Sequence, residues 1–345
     1  MNAIDVLEAG SINSRHPEDE PFGSSEGSRL LQEAARKIRI HIIKMIMAAG
    51  SGHVGGSLGV TDILTAIYFG DQFNLRPEEQ ENPKRDRFVL SNGHVCPALY
   101  AVLAEAGYFP PEELVTLRQL GSRLQGHPTH VIPNEVRNLG HENGNGLGEV
   151  GAYRAPQNLP GIEATSGSLG QGLSVAAGMA IGVRMPTNPR HSEEMPNGIS
   201  EESRLSTNIP RIICMVGDGE LQEGSIWEAL MLAAHKKLDN LTLLVDRNNL
   251  QTTGSTEQVV RLEPLHDKLT AFGWHTLEVD GHNFTQLNHA FSQAKTPGGK
   301  PTAIICHTIM GKGVSFMENN ARYHSTLPTP EEAEKALAEL TEARV

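Results

Sequence analysis

One stretch, from Arg211 to Gly254, constrains this chain more than any other. An apolar run over residues 212–216 stops at Gly217-Asp218-Gly219, and an amphipathic helical stretch follows. A second apolar run over residues 241–245 then stops at Asp246-Arg247-Asn248-Asn249. Run, tight turn, helix, run is the pattern of a βαβ unit. In an open parallel sheet neighbouring strand ends face one crevice, so Asp218 and Asn248 are expected to point at a common spot. A carboxylate and an amide oxygen form a hard, oxygen-only donor set suited to Mg²⁺ or Ca²⁺, and Mg²⁺ held this way commonly bridges to phosphate oxygens. The flanking Gly217 and Gly219 let backbone N–H groups approach a phosphate with no Cβ in the way. The plain alternative is an ordinary βαβ unit with a tight turn.

The 345 residues allow one large or two ordinary domains and a sizeable core. A net charge of −12 with no block of clustered Lys or Arg argues against a nucleic-acid partner. Cys96, Cys214 and Cys306 are widely spaced, with no CxxC pair, and read as buried reduced thiols of a cytoplasmic protein. No apolar run is long enough to span a bilayer, so no membrane is expected. The acidic start, with Glu8, Glu18, Asp19 and Glu20, does not read as a signal peptide.

Residues 1–27 are polar and rich in Ser, Gly and Pro, which predicts a disordered tail. A helix is expected from Ser28, with Leu31, Ala35, Ile38, Ile42 and Met45 at helical spacing and Gly50 as its stop. Residues 51–57 read as a glycine loop, 61–69 as a second helix, 87–90 as a short buried strand and 96–107 as a helix. A glycine-rich loop over residues 160–172 opens a helix over 173–183, an arrangement that suits a phosphate, and the small Ala176, Ala177, Gly178, Ala180 and Gly182 of that helix would permit very close packing. Residues 275–280 and 302–308 read as two more buried strands with a helix at 284–294 between them, and 330–345 as a peripheral C-terminal helix. Two polar segments, at about 129–158 and 185–209, read as loop insertions. The first contains Gly146-Leu-Gly148-Glu-Val-Gly151, but no strand precedes it, so a dinucleotide site fails its own context. Neither HExxH nor paired Cys/His spacing is present to suggest zinc. The fold class that follows is α/β, a parallel sheet flanked by helices over residues 28–329.

The Gly-Asp-Gly to Asn-Asn spacing resembles the thiamine-diphosphate motif. Other motifs match, in order, the N-terminal, diphosphate-binding half of transketolase. Ser51-Gly-His53 resembles the first active-site loop of that family, Asp86-Arg-Phe-Val-Leu-Ser-Asn-Gly-His94 the second and Gly126-His127-Pro128 the third. Thr165-Ser-Gly167-Ser168-Leu169-Gly-Gln-Gly172 resembles its cofactor loop, and the segment from Lys312 to His324 its covering loop. Two positions depart from the family's pattern: Ser168 stands where many members have proline, and Ser325 follows His324 in place of glycine.

The resemblance implies a thiamine-diphosphate-binding fold and specific roles. Asp218 and Asn248 through side chains, and Leu250 through its carbonyl, would hold Mg²⁺ (or Ca²⁺). Gly167, Ser168, Leu169, Gly217, Asp218, Gly219, Asn248 and His94 would line the cofactor. His53, His94, His127 and His324 would face the reacting carbons, and Glu223 and Glu228 would lie where paired active sites meet. Thiamine diphosphate carries the carbon–carbon chemistry, while imidazoles near neutrality move the protons. Transketolases are longer, and the half not seen here carries the acid that activates the cofactor. The resemblance therefore implies one subunit of a two-subunit enzyme, completed by a C-terminal transketolase subunit in a two-plus-two assembly and acting on sugar phosphates. The alternatives are a 1-deoxyxylulose-5-phosphate-synthase-like or other thiamine-dependent half, a specialised ketol transferase, and a non-catalytic cofactor-binding scaffold.

Overall fold

The computed structural model describes residues 25–129, 158–185, 209–296 and 298–343. Residues 1–24 of the expected tail, and 130–157 and 186–208 of the two insertions, lie outside the described residues. Strands β1 (Arg87–Leu90), β2 (Ile212–Gly217), β3 (Leu241–Arg247), β6 (His275–Asp280) and β7 (Thr302–His307) form one parallel sheet in the order β1-β2-β3-β7-β6. Between β3 and β6, β4 (Leu250–Gln251) and β5 (Gly254–Ser255) pair as a small antiparallel ribbon that the sequence pattern does not announce.

The expected apolar runs are strands because both faces of the sheet are covered. On β2, Ile213 and Met215 enter one core cluster while Ile212, Cys214 and Val216 enter the other. The first cluster packs against α1 (Ser25–Ala49), α3 (Thr61–Phe69), α4 (Cys96–Glu105), α9 (Phe284–Ala294) and α10 (Pro330–Glu342). The second packs against α5 (Gly172–Gly182), α6 (Gly224–His235) and α8 (Leu265–Ala271), with the short α7 (Thr256–Val259) beside β5. Helix α1 buries the expected stripe and ends at Gly50, whose φ of +61° lets the chain turn away. Helix α10 starts with a capping box between Thr329 and Glu332.

Two expectations change. The glycine loop at residues 51–57 is instead largely a short buried helix, α2 (Val54–Gly59). A helix this short and glycine-rich has little stability of its own, so packing holds it. A Cβ on Gly55 would stand 2.9 Å from the Tyr323 carbonyl oxygen, so only glycine allows that contact. On α5, Ala176, Ala177 and Ala180 are buried as expected, but Gly178 and Gly182 face outward with no atom within 4 Å of a notional Cβ. The small residues therefore admit close packing on only one side of that helix.

Candidate active site

The strand ends build the floor of a cleft of about 190 Å³. Because β2 and β3 are neighbours with Gly217 opposite Asp246, Asp218 and Asn248 reach the same cleft, joined by Leu250, Gly217 and Gly219. Asp218 is 1% exposed. Its Oδ1 accepts from Gly219 N at 2.8 Å, and its Oδ2 accepts from Asn249 N at 2.6 Å and from Arg247 Nη1 at 3.1 Å. Arg247, itself buried, also donates to Thr256, Glu257 and Glu263. Asn248 Nδ2 donates to Asp246 at 2.9 Å, and Asn248 Oδ1 accepts from Leu250 N at 3.0 Å. Thr308 Oγ1 donates to the other Asp246 oxygen. Burial raises the Asp218 carboxyl above its ordinary range even though Arg247 pulls the other way. Burial first, and then the Asp218 carboxylate, push Asp246 up to about 7. Two neighbouring carboxylates in the interior repel; Arg247 already pairs with Asp218, and a divalent cation in the cleft would relieve the repulsion further. The oxygen donors of Asp218, Asn248 and Leu250 fit such an ion.

Above this floor stand three imidazoles. Ring centroids of His53 and His94 are 5.0 Å apart, those of His94 and His324 5.7 Å, and those of His53 and His324 5.9 Å. They arrive from the N-terminus of α2, the turn after β1 and the end of the covering loop. His127 stands beside them: its Cδ2 is 3.3 Å from where a Cβ on Gly93 would lie, and its ring carbons are 3.6–3.7 Å from that of Gly167. Burial, followed by the fields of His324, Arg118 and His127, holds His53 down to about 4. Burial and the other three histidines hold His94 down to about 3. Burial also lowers His127 and His324. At neutral pH all four are uncharged, the state in which an imidazole can accept a proton. His53 Nδ1 and His324 Nδ1 are buried with no hydrogen-bond partner among the described residues. Polar atoms left open in this way fit a bound ligand.

The cofactor loop is pinned to the strand ends by a residue absent from the expected set. Glu220, 2% exposed, accepts from Ser91 Oγ at 2.5 Å, Gly170 N at 2.7 Å and Gly217 N at 3.2 Å. Ser91 Oγ also accepts from Gly172 N at 3.0 Å. Gly172 must be glycine, because a Cβ there would lie 2.4 Å from Ser91 Cβ. Leu169 lines the cleft at 43% exposure, while Gly167, with φ of +153°, and Ser168 lie in the same loop. Glu223 and Glu228 are not brought into the cleft and lie exposed around the first turn of α6. Asn92, Asp246 and Gln251 also line the cleft. A sequence signal for Asn92 lay only in its place one residue before Gly93-His94.

A parallel sheet with an oxygen-donor floor, a glycine-rich rim and a wall of neutral histidines defines the class. Residues 30–151 and 151–339 match the family described as transketolase, thiamine diphosphate binding domain, and the chain belongs to that family. It is 40% identical over 310 residues to the 6-deoxy-6-sulfo-D-fructose transketolase subunit SqwG of Clostridium sp., covering 90% of this chain and 96% of that protein. It is 36% identical over 312 residues to one subunit of the apulose-4-phosphate transketolase of Phocaeicola vulgatus, covering 90% of this chain and 94% of that one. Among solved structures it matches transketolase from Leishmania mexicana with a TM-score of 0.72 and 28% identity, covering 90% of this chain and 41% of that chain. The chain thus spans nearly all of the two subunits but less than half of the Leishmania enzyme. No helix among the described residues is long and apolar enough to cross a membrane.

Proposed function

We propose that this chain is the diphosphate- and metal-binding subunit of a two-subunit transketolase, moving a two-carbon ketol unit from a ketose phosphate to an aldose phosphate. The observation that carries this reading is the convergence of Asp218, Asn248 and Leu250 with His94 and His324 in one cleft, with the His53 ring packed against both imidazoles. Asp218, Asn248 and the Leu250 carbonyl would hold Mg²⁺. The backbone at Gly217 and Gly219 would take the diphosphate, with Gly167, Ser168 and Leu169 along the rings. Bound there, thiamine diphosphate would supply the nucleophile and the electron sink for breaking a carbon–carbon bond next to a carbonyl. The protein's own part is proton handling: His53, His94, His127 and His324, uncharged at neutral pH, accept and return hydroxyl protons of the sugar.

The word subunit in the names of the two relatives, and their similar length, support a partner that completes the site. Exposed Val175 on α5 and Met231 on the adjacent α6 give that partner, or a second copy, an apolar surface to cover. Glu223 and Glu228 face outward there and are assigned to the contact between paired sites in a two-plus-two assembly. We place the protein in the cytoplasm, in pentose phosphate metabolism. A second reading, a ketol transfer dedicated to another sugar, is favoured by the sugars named in those relatives, apulose 4-phosphate and 6-deoxy-6-sulfo-D-fructose.

The deciding assay measures Mg²⁺- and thiamine-diphosphate-dependent ketol transfer by this chain alone and with a C-terminal transketolase subunit. Xylulose 5-phosphate and the two named sugars serve as donors, with ribose 5-phosphate as acceptor. Activity only in the mixture is expected, and the preferred donor separates the two readings. A stable complex that binds the cofactor yet transfers from none of the donors would refute both.

A further inference from the structure

Asn92 is the least satisfied side chain in the cleft. It sits at the end of β1, is 1% exposed, and neither its Nδ2 nor its Oδ1 has a hydrogen-bond partner among the described residues. A buried amide in this condition destabilises a fold, and the usual explanation for one is a ligand that supplies the missing bonds.

The surroundings indicate which ligand. Asn92 lines the cleft together with Gly217, Asp218, Gly219 and Asn248. Its Cβ and Nδ2 lie 3.7 and 3.8 Å from the point where a Cβ on Gly217 would stand. The amide therefore looks onto the bare backbone at the end of β2, the stretch of the cleft with oxygen donors for a cation and no side chain of its own. The two Nδ2 protons need acceptors, and phosphate oxygens are acceptors only.

We propose that Asn92 is a phosphate-binding residue, donating from Nδ2 to a diphosphate seated between Gly217 and the Asp218–Asn248 oxygens. The proposal rests on the thiamine-diphosphate reading above, and deepens it by one residue to which the motif resemblance assigns no role. An uncharged donor suits this place. The cation balances the diphosphate's charge, while the amide fixes where the oxygens sit.

The test is calorimetric titration of the full chain with thiamine diphosphate and with inorganic pyrophosphate, each with Mg²⁺, for wild type, Asn92→Ala and Asn92→Leu. Thermal unfolding of the same proteins is measured without ligand. Loss of a hydrogen bond to a charged group should weaken both probes roughly tenfold to a hundredfold in both variants. The unfolding midpoint without ligand should stay level or rise, because the two orphaned atoms are gone. Alanine and leucine bracket asparagine in size, so a packing artefact cannot produce both results. Unchanged affinity in the variants would overturn the assignment. So would a fall in affinity matched by a lower unloaded midpoint, which would make Asn92 an ordinary structural residue. A wild-type chain that binds neither probe, alone or with a C-terminal transketolase subunit added, would defeat the diphosphate reading itself, a failure distinct from wild type and variants binding alike.

Discussion

Replacing Glu220 is the most direct way to ask whether the cleft is held open by a single buried group. Its carboxylate accepts from three separate segments: Ser91 after β1, Gly170 in the cofactor loop and Gly217 at the end of β2. Glu220→Ala removes all three acceptors at once. Each donor left unpaired in the interior costs about 1–3 kcal/mol. Two effects offset part of that sum. Burial already disfavours the carboxylate, as its raised pKa shows, so deleting it relieves desolvation. Water entering the vacated space also restores some bonds. The expected net loss is about 2–4 kcal/mol for alanine. Glu220→Gln keeps an acceptor for Ser91 and Gly170, which share Oε1, but turns an N–H toward Gly217 N, so it should cost about 1–2 kcal/mol. Urea denaturation of the unloaded chain measures both variants, and calorimetry should show thiamine-diphosphate affinity falling in the same order. An alanine variant within about 0.5 kcal/mol of wild type would refute the reasoning, since ordinary surface substitutions do no more. A glutamine variant worse than alanine would refute it too.

Asp218→Asn should abolish Mg²⁺-dependent cofactor binding, measured by calorimetry. It should cost the unloaded chain only about 1–2 kcal/mol, because the amide oxygen can still accept from Asn249 N and Arg247 while its N–H is turned toward Gly219 N; undiminished affinity would take Asp218 out of the metal set. Alanine is the worse test there, since it leaves Arg247 facing a hole. Gly172→Ala places a Cβ 2.4 Å from Ser91 Cβ, an overlap that should destabilise the chain by about 1–3 kcal/mol in thermal unfolding, and an unshifted midpoint would contradict the close approach. His53 and His94 have folded pKa values depressed from 6.5 to about 4 and about 3. The unfolded chain therefore binds protons more readily in that window, so stability is full above pH 6.5 and declines as pH falls toward 4 and 3. Urea midpoints across this range should fall less steeply in His94→Gln than in wild type, and parallel curves would show that His94 is not held uncharged.

Much of this architecture is legible without coordinates, and the reason is local. Strands covered on both faces must be continuously apolar, so β1 appears with the bounds the pattern predicts and β2 and β3 extend only slightly past their apolar runs; β6 has the predicted bounds too, but it is an edge strand and mostly exposed, not the buried strand expected. Glycines beside acids, amides and histidines likewise mark the strand-end turns, because few side chains tolerate such bends near a ligand. Glu220, Asn92 and Arg247 stand in or beside such turns, but nothing local says what each of them does. Each is a common polar residue whose importance comes from partners distant in sequence or from having none.

Sequence alone therefore determined the parallel α/β fold, the family and the two strand ends that meet at Asp218 and Asn248. Periodicity, turn chemistry and motif spacing are short-range properties, and a single chain records them directly. Only the tertiary structure decided that the glycine stretch after His53 is helical, that Glu223 and Glu228 lie on the surface, and that Asp218 is locked to Arg247. Those outcomes depend on which segments the crossovers bring into contact, and on burial, which turns an ordinary hydrogen bond or a missing one into a large energy.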